Sequence, residues 1–185
     1  MFNPITNLVH EYDFSYSSIL EPHIGDILQE YENKKKENNK ELTTDLYVDS
    51  KIPVIKHINK ELEYLVQKNY HVGEPMGESP LRVYIQNGQS NVSLLHDHTG
   101  GLGTICGVFY LNPPKEGGEI LFKYLENTEW GFELKLKPQI NKVYLFPYWL
   151  PHKPLPQKDS TPRFCFNWVY ASNDRPVHKY ARIFW

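Results

Sequence analysis

The sequence predicts a mainly β fold of the α+β class, a jelly roll with supporting helices placed ahead of its strands. Three observations carry this expectation. Apolar residues recur at helical spacing only before about residue 80, short β-rich runs follow, and turn-forming pairs separate those runs.

In chain order, Ser15 to Tyr31 is the first helical candidate, with Ile19, Ile27 and Leu28 as its apolar positions. The run ENKKKENNKE that follows, Glu32 to Glu41, is a solvated helix end or loop, because like-charged polar tracts seldom pack. From Ile52 to Tyr70, residues Ile55, Ile58, Leu62, Leu65 and Val66 fall on one helical face and predict a second helix. Strands are expected over 80–86, 91–98, 103–111, 118–125, 130–136, 142–147, 163–171 and 177–184. The punctuation between them is Asn87-Gly88, Gly100-Gly101, Asn112-Pro113-Pro114 and Gly117-Gly118. Short strands at this spacing form a sandwich or barrel, and helices ahead of them cover one face.

A chain of 185 residues fits one domain, 1–185, with a helical part over 1–79 and a β core over 80–185. A formal net charge of −2 and a pI near 6.4 argue against electrostatic binding to nucleic acid or anionic membranes. The opening MFNPITNLVH lacks the pattern of a signal peptide, and no stretch nears the roughly 20 apolar residues of a membrane span, so a cytoplasmic protein is expected. Cys106 and Cys165 are too few for a disulfide framework and are expected to be reduced and buried.

The chemistry gathers on three histidines and one arginine. On a strand over 92–98, alternation puts His96 and His98 on one face and aims Asp97 away. Two imidazoles side by side can hold one metal, although polar alternation also produces such pairs by chance. His152 is the third, in Leu150-Pro151-His152, where proline restricts the backbone and fixes the ring's direction. Imidazole suits iron, zinc, copper and nickel alike, so ligand type does not name the metal. In Arg163-Phe164-Cys165-Phe166-Asn167-Trp168-Val169-Tyr170 the aromatics share one face, leaving Arg163, Cys165 and Asn167 on the other. A guanidinium projecting into a barrel needs a carboxylate partner, from the protein or from a ligand, whereas one at the rim is met by water.

Five blocks then stand in order: His96-Asp97-His98-Thr99; Cys106-Gly107-Val108-Phe109-Tyr110-Leu111-Asn112-Pro113; Gly117-Gly118-Glu119-Ile120; Phe146-Pro147-Tyr148-Trp149-Leu150-Pro151-His152; and Arg163-x-x-x-Asn167. Over about residues 82–170 this succession resembles the 2-oxoglutarate- and iron(II)-dependent oxygenases, most closely a prolyl-hydroxylase-like subfamily of marine phages and bacteria with an HxH, GVYYL, FPxWLPH and RxSxSFN order. The resemblance implies a double-stranded β-helix, cupin-like in outline. It implies Fe(II) on His96, His98 and His152, with 2-oxoglutarate chelating the metal and setting its far carboxylate against Arg163. Tyr110 is implied as a hydrogen-bond donor to that carboxylate and Tyr84 as a second tyrosine near the cosubstrate, with Asn167 facing inward beside Arg163.

The implied reaction consumes O2, with ascorbate as a candidate reductant. It decarboxylates 2-oxoglutarate to succinate and CO2 while hydroxylating a peptidyl or amino-acid-like substrate. Tyr148 and Trp149, beside His152, are candidates for the substrate mouth. One departure matters. The wider superfamily usually carries a carboxylate where His98 stands, so Asp97 is kept as the alternative ligand to His98. Two other readings stay open: a three-histidine, cupin-type dioxygenase that does not use 2-oxoglutarate, and a non-catalytic metal- or carbohydrate-binding jelly roll with structural zinc. A homodimer is one way to cover the apolar Ile183-Phe184-Trp185.

Overall fold

The computed structural model describes residues 4–37, 46–47, 53–75, 82–86, 94–99, 103–125, 131–159 and 163–173. Its strands are β1 (His10–Asp13), β2 (Leu46–Tyr47), β3 (Arg82–Gln86), β4 (Ile105–Asn112), β5 (Ile120–Leu125), β6 (Gly131–Leu136), β7 (Lys142–Pro147), β8 (His152–Pro154) and β9 (Arg163–Tyr170). They form a six-stranded sheet in the order β1-β7-β4-β9-β3-β2 and a three-stranded sheet in the order β6-β5-β8. Every strand pairing is antiparallel.

Strand alternation divides the interior into two layers. Phe109 of β4, Leu145 of β7 and Phe166, Trp168 and Tyr170 of β9 face the helices. Their neighbours Cys106, Val108, Tyr110, Tyr144, Phe146 and Cys165 turn the other way and pack against Ile120 and Phe122 of β5. The aromatic face of β9 therefore lies away from the small sheet, as its alternation predicts. In the helical layer Phe109 and Phe166, partners in register, stack with centroids 4.7 Å apart.

Helix α3 (Pro53–Tyr70) supplies most of the helical layer: Ile55, Ile58, Leu62 and Val66 are fully buried, and such a side chain contributes roughly 1.5–3 kcal/mol relative to exposure. Proline tolerates the first helical position because its missing N–H has no intrahelical partner there. After the helix, His71 takes φ 48, the left-handed turn that ends many helices. The earlier helical candidate is divided into α1 (Ser17–Leu20), a 3-10 turn (Glu21–His23) and α2 (Ile24–Glu37). Pro22 sits in that turn, where it cannot supply an N–H to a continuous helix. Ile27 is buried there, but Ile19 is 41% exposed. The charged run is helical as far as Glu37, and its remainder lies outside the described residues.

The first 79 residues are not purely helical. Strand β1 pairs with β7, and β2 pairs with β3, at the two edges of the large sheet. Both are too short, and β1 too exposed, for a period-two pattern to register. The expected strand 177–184 lies outside the described residues. Cys106 and Cys165 are buried and are not joined in a disulfide. Among the described residues no helix is long and apolar enough to cross a membrane.

Gly107 is held in place by close packing. A Cβ there would sit 2.8 Å from Leu145 Cδ2 and 3.1 Å from the Trp168 ring, both in the buried helical layer. Gly107→Ala is therefore expected to destabilise the protein by about 1–3 kcal/mol. A urea melt in which the variant matches the parent would show that the layer has slack.

Candidate metal centre

The three histidines are assembled by backbone bonds. After β7 the chain turns through Tyr148 and Trp149, closed by the Leu150 N–H donating to the Pro147 carbonyl at 3.0 Å. That turn returns the chain as β8, in which His152 registers with Phe122 of β5. On its other side His152 makes an isolated antiparallel bridge with His96. The His96 N–H donates to the His152 carbonyl at 3.1 Å, and the His152 N–H to the His96 carbonyl at 2.8 Å. A further bond, His98 N–H to the Tyr148 carbonyl at 2.8 Å, fixes the second histidine of the pair.

This bridge corrects the expected strand over 91–98. Within the described residues 94–99 there is no continuous strand, only the single bridge at His96. The pair nevertheless converges, because two backbone clamps, one to β8 and one to the turn before it, do the work assigned to alternation. His96, His98 and His152 offer ligand atoms that all lie within 4.8 Å of one another. Among the described residues they are the one group of three or more His, Cys, Asp or Glu side chains close enough to hold a metal ion.

Ring environment settles what these nitrogens can do. His96 Nδ1 lies 3.0 Å from the Leu94 carbonyl and His152 Nδ1 lies 2.9 Å from the Leu150 carbonyl. A carbonyl only accepts, so each Nδ1 carries the proton and Nε2 is left as the donor atom for a metal. Both rings thus use the same local device, a hydrogen bond to the carbonyl two residues back. Burial pushes the pKa of His152 down to about 3, and the neighbouring His96 and His98 add to the effect, while its bond to Leu150 opposes it. The ring is neutral at any working pH, with its lone pair available. Phe146 packs edge-on at 4.7 Å and Phe122 lies at 6.1 Å, so one side of His152 is apolar, whereas His96 is exposed.

The donor set fits a transition-metal ion. Tetrahedral bonds of about 2.1 Å to one ion place its donors roughly 3.4 Å apart, closer than the 4.8 Å within which the three ligand atoms lie. Iron, zinc, copper and nickel all accept three imidazoles.

Asp97 is not in the group. Its Oδ1 accepts the Thr99 N–H at 2.9 Å and the Thr99 hydroxyl at 2.6 Å, a local turn that commits the carboxylate next to the site. Partial burial works to raise its pKa, but the two bonds from Thr99 and the nearby His98 and His152 outweigh it and hold the carboxyl below its usual range. Thr99 closes the first block of the sequence, and Asp-x-Thr is a recognisable side-chain-to-backbone turn. His98→Ala should weaken metal binding by about 100-fold or more, whereas Asp97→Ala should change it less than about tenfold. Metal titration of both variants checks this, and the reverse order would restore Asp97 as a ligand.

The residues expected to hold a cosubstrate fall on three neighbouring strands. Tyr110 of β4 pairs with Cys165 of β9, which pairs with Tyr84 of β3, and in the next row Val108 pairs with Asn167 and Asn167 with Arg82. Tyr110 is buried in the layer shared with the small sheet, and Asn167 accepts a hydrogen bond from the Cys165 thiol at 3.0 Å. Arg163 opens β9 opposite Gln86. For Tyr84 and Arg163 the register alone is described. The layer reaches the histidines through Cys106, which pairs with Phe146, the ring against His152. Tyr148 and Trp149 are half-buried, and Trp149 meets Tyr124 edge-on at 6.4 Å. Tyr148 has a second function that its side chain does not reveal, since its carbonyl anchors His98. A separate cavity of about 310 Å³, lined by residues including Lys115, Lys137 and Lys158, contains none of the three histidines.

This arrangement of sheets is similar to that of solved prolyl hydroxylases. Among solved structures, a prolyl-4-hydroxylase from Pseudomonas putida matches with a TM-score of 0.61 at 12% identity, covering 89% of this chain and 92% of that one. A prolyl hydroxylase from Trichoplax adhaerens, in complex with a hypoxia inducible factor oxygen degradation domain peptide fragment, matches with a TM-score of 0.59 at 16% identity over 91% and 85%. The viral collagen prolyl hydroxylase of Paramecium Bursaria Chlorella virus-1 gives 0.56 at 16% identity over 89% and 90%. No protein-family model and no curated protein matches the chain.

Proposed function

We propose that the chain is a 2-oxoglutarate- and Fe(II)-dependent oxygenase built as a single domain on a double-stranded β-helix. The observation that carries the proposal is the convergence of His96, His98 and His152 on one point of a prolyl-hydroxylase fold. In this reading the three imidazoles hold iron, and Arg163 receives the far carboxylate of 2-oxoglutarate. Asn167 stands on β9 with Arg163, and Tyr110 and Tyr84 stand on the two strands paired with it, in rows that suit them to the cosubstrate. With iron, 2-oxoglutarate and O2 bound, the site supplies oxidative decarboxylation to succinate and CO2 coupled to hydroxylation.

The protein contributes placement. The clamps on His96 and His98 fix the rings, the carbonyls of Leu94 and Leu150 set the tautomers, and Phe122 and Phe146 exclude water behind His152. Tyr148 and Trp149 border the open side, where a peptidyl or amino-acid-like substrate would enter. The peptide held by the Trichoplax adhaerens neighbour supports that substrate class.

Anaerobic protein loaded with Fe(II) is expected to develop a weak visible charge-transfer band when 2-oxoglutarate is added, and to release succinate in air. A second reading draws support from the donor set itself, since three imidazoles without a carboxylate also suit a dioxygenase that does not use 2-oxoglutarate. The two part cleanly. No band and no succinate from an iron-loaded protein would sink the first and leave the second.

A further inference from the structure

At the end of the small sheet where β5 begins and β6 and β8 finish, three connections meet around the cavity of about 310 Å³. Lys115 comes from the β4–β5 connection, Lys137 follows β6 and Lys158 follows β8. Backbone bonds hold the first and last of these together. The Leu155 N–H donates to the Glu119 carbonyl at 2.7 Å, the Gly118 N–H to the Pro156 carbonyl at 3.1 Å and the Lys158 N–H to the Glu116 carbonyl at 3.0 Å. The Glu116 N–H donates in turn to Asp159 Oδ2 at 3.0 Å. Gly117 lies at this crossing with φ 72, where a Cβ would meet the Pro156 carbonyl oxygen at 2.7 Å, so only glycine fits. The third connection is pinned from inside, because the buried Tyr144 hydroxyl donates to the Lys137 carbonyl at 2.8 Å. The lysines therefore stand on backbone that is set before any ligand arrives.

Among the described residues none of the three ammonium groups is paired with a carboxylate. Glu116 and Glu119 also line the cavity, so three lysines against two glutamates leave one positive charge in excess. Pro114 and Pro138 add two apolar rings. An ammonium is a point charge without the planar fork of a guanidinium. Three of them around one cavity suit the rounded, dianionic head of a phosphate better than a flat carboxylate. The volume stands at the small end of the roughly 300–1,000 Å³ range of ligand sites.

We propose that this cavity binds a small phosphorylated molecule, with its phosphate among Lys115, Lys137 and Lys158 and its body against Pro114 and Pro138. The phosphate is either the free ion or an ester, and the dianionic head is the shared chemistry. The site is separate from the metal centre and does not depend on the chain being an oxygenase. Because the lysines are exposed, water weakens each ion pair, and binding rests on several modest contacts acting together.

The test is calorimetric titration of the full chain, without added metal and at low salt, with inorganic phosphate and with phenyl phosphate. Saturable binding of at least one is expected. Tighter binding of phenyl phosphate assigns an ester, and equal or tighter binding of inorganic phosphate assigns the free ion. Lys115→Gln, Lys137→Gln and Lys158→Gln should each weaken binding by about fivefold or more, and Glu119→Gln should strengthen it by removing a repelling charge. Lys135→Gln, on β6 but outside the cavity, should change it by less than about twofold. Phosphate held inside the barrel would respond to Arg163→Ala instead. No saturable heat from either probe up to about 10 mM would overturn the proposal. So would a loss in Lys135→Gln equal to that in the cavity variants, or a loss confined to Arg163→Ala.

Discussion

His152→Ala is expected to abolish stoichiometric metal binding and also to destabilise the apoprotein, whereas His96→Ala is expected to do only the first. The difference follows from burial. Loss of one of three ligands should lower affinity by more than the roughly 10- to 100-fold cost of losing a supporting residue around a metal, in either variant. But His152 is 6% exposed and wedged against Phe146 and Phe122, so removing its ring leaves a hole in an apolar layer. Truncating a buried aromatic side chain costs about 3–5 kcal/mol, and the smaller imidazole should cost about 2–4. For a chain of this size that is a fall in melting temperature of roughly 4–16 °C. His96 is exposed, and its replacement should stay within about 0.5 kcal/mol of the parent. Metal content by elemental analysis and thermal melts of the apoproteins check both halves. Stoichiometric metal in either variant would show that the ion sits elsewhere, and equal melting losses would show that His152 is not the buried member.

The two variants also show how unevenly the site could be read from the sequence. The residues of the centre were legible because each stands in a distinctive block: a doublet of histidines, and a proline-fixed histidine after an apolar strand. Their geometry was only half legible. Alternation along 91–98 correctly grouped His96 with His98 and set Asp97 apart, yet the grouping is enforced by the bridge to β8 and by the Tyr148 carbonyl. Neither can be read from local pattern, since both depend on which backbone atoms meet after folding. Strand β8 itself, three residues beginning at His152, is too short to carry any periodicity.

The large sheet was legible where one face differs chemically from the other. In β9 the aromatics and the small or polar residues alternate in sequence, and the structure sends Phe166, Trp168 and Tyr170 to the helices and Cys165 to the small sheet. In β4 seven of the eight residues are buried, so its faces cannot be told apart by hydrophobicity. What identifies its helical face is Gly107, the residue with no room for a Cβ. At the other extreme β1, mostly exposed, offers no apolar signal and joins the sheet through its backbone and through Lys142, which reaches both Glu11 and Asp13.

Arg163→Ala should leave iron binding intact while raising the 2-oxoglutarate concentration that half-saturates the charge-transfer band by about 30- to 1,000-fold. The reasoning begins with β9, where alternation gives Arg163 the parity of Cys165, a residue packed in the layer shared with the small sheet. A guanidinium of that parity can meet a dicarboxylate with two parallel hydrogen bonds, and truncating one partner of such a desolvated pair costs about 2–4 kcal/mol. Arg163→Lys should recover only part of the affinity, because an ammonium keeps the charge and loses the fork. Pyruvate separates anchoring from general damage. It carries the same 2-oxo acid group but no far carboxylate, so its weaker band should be insensitive to Arg163→Ala, and the two losses should not add. If pyruvate binding falls in step with 2-oxoglutarate binding, Arg163 acts on the metal end or on the fold. If neither falls, the far carboxylate is held by another residue, and the cationic tip of β9 has a different partner.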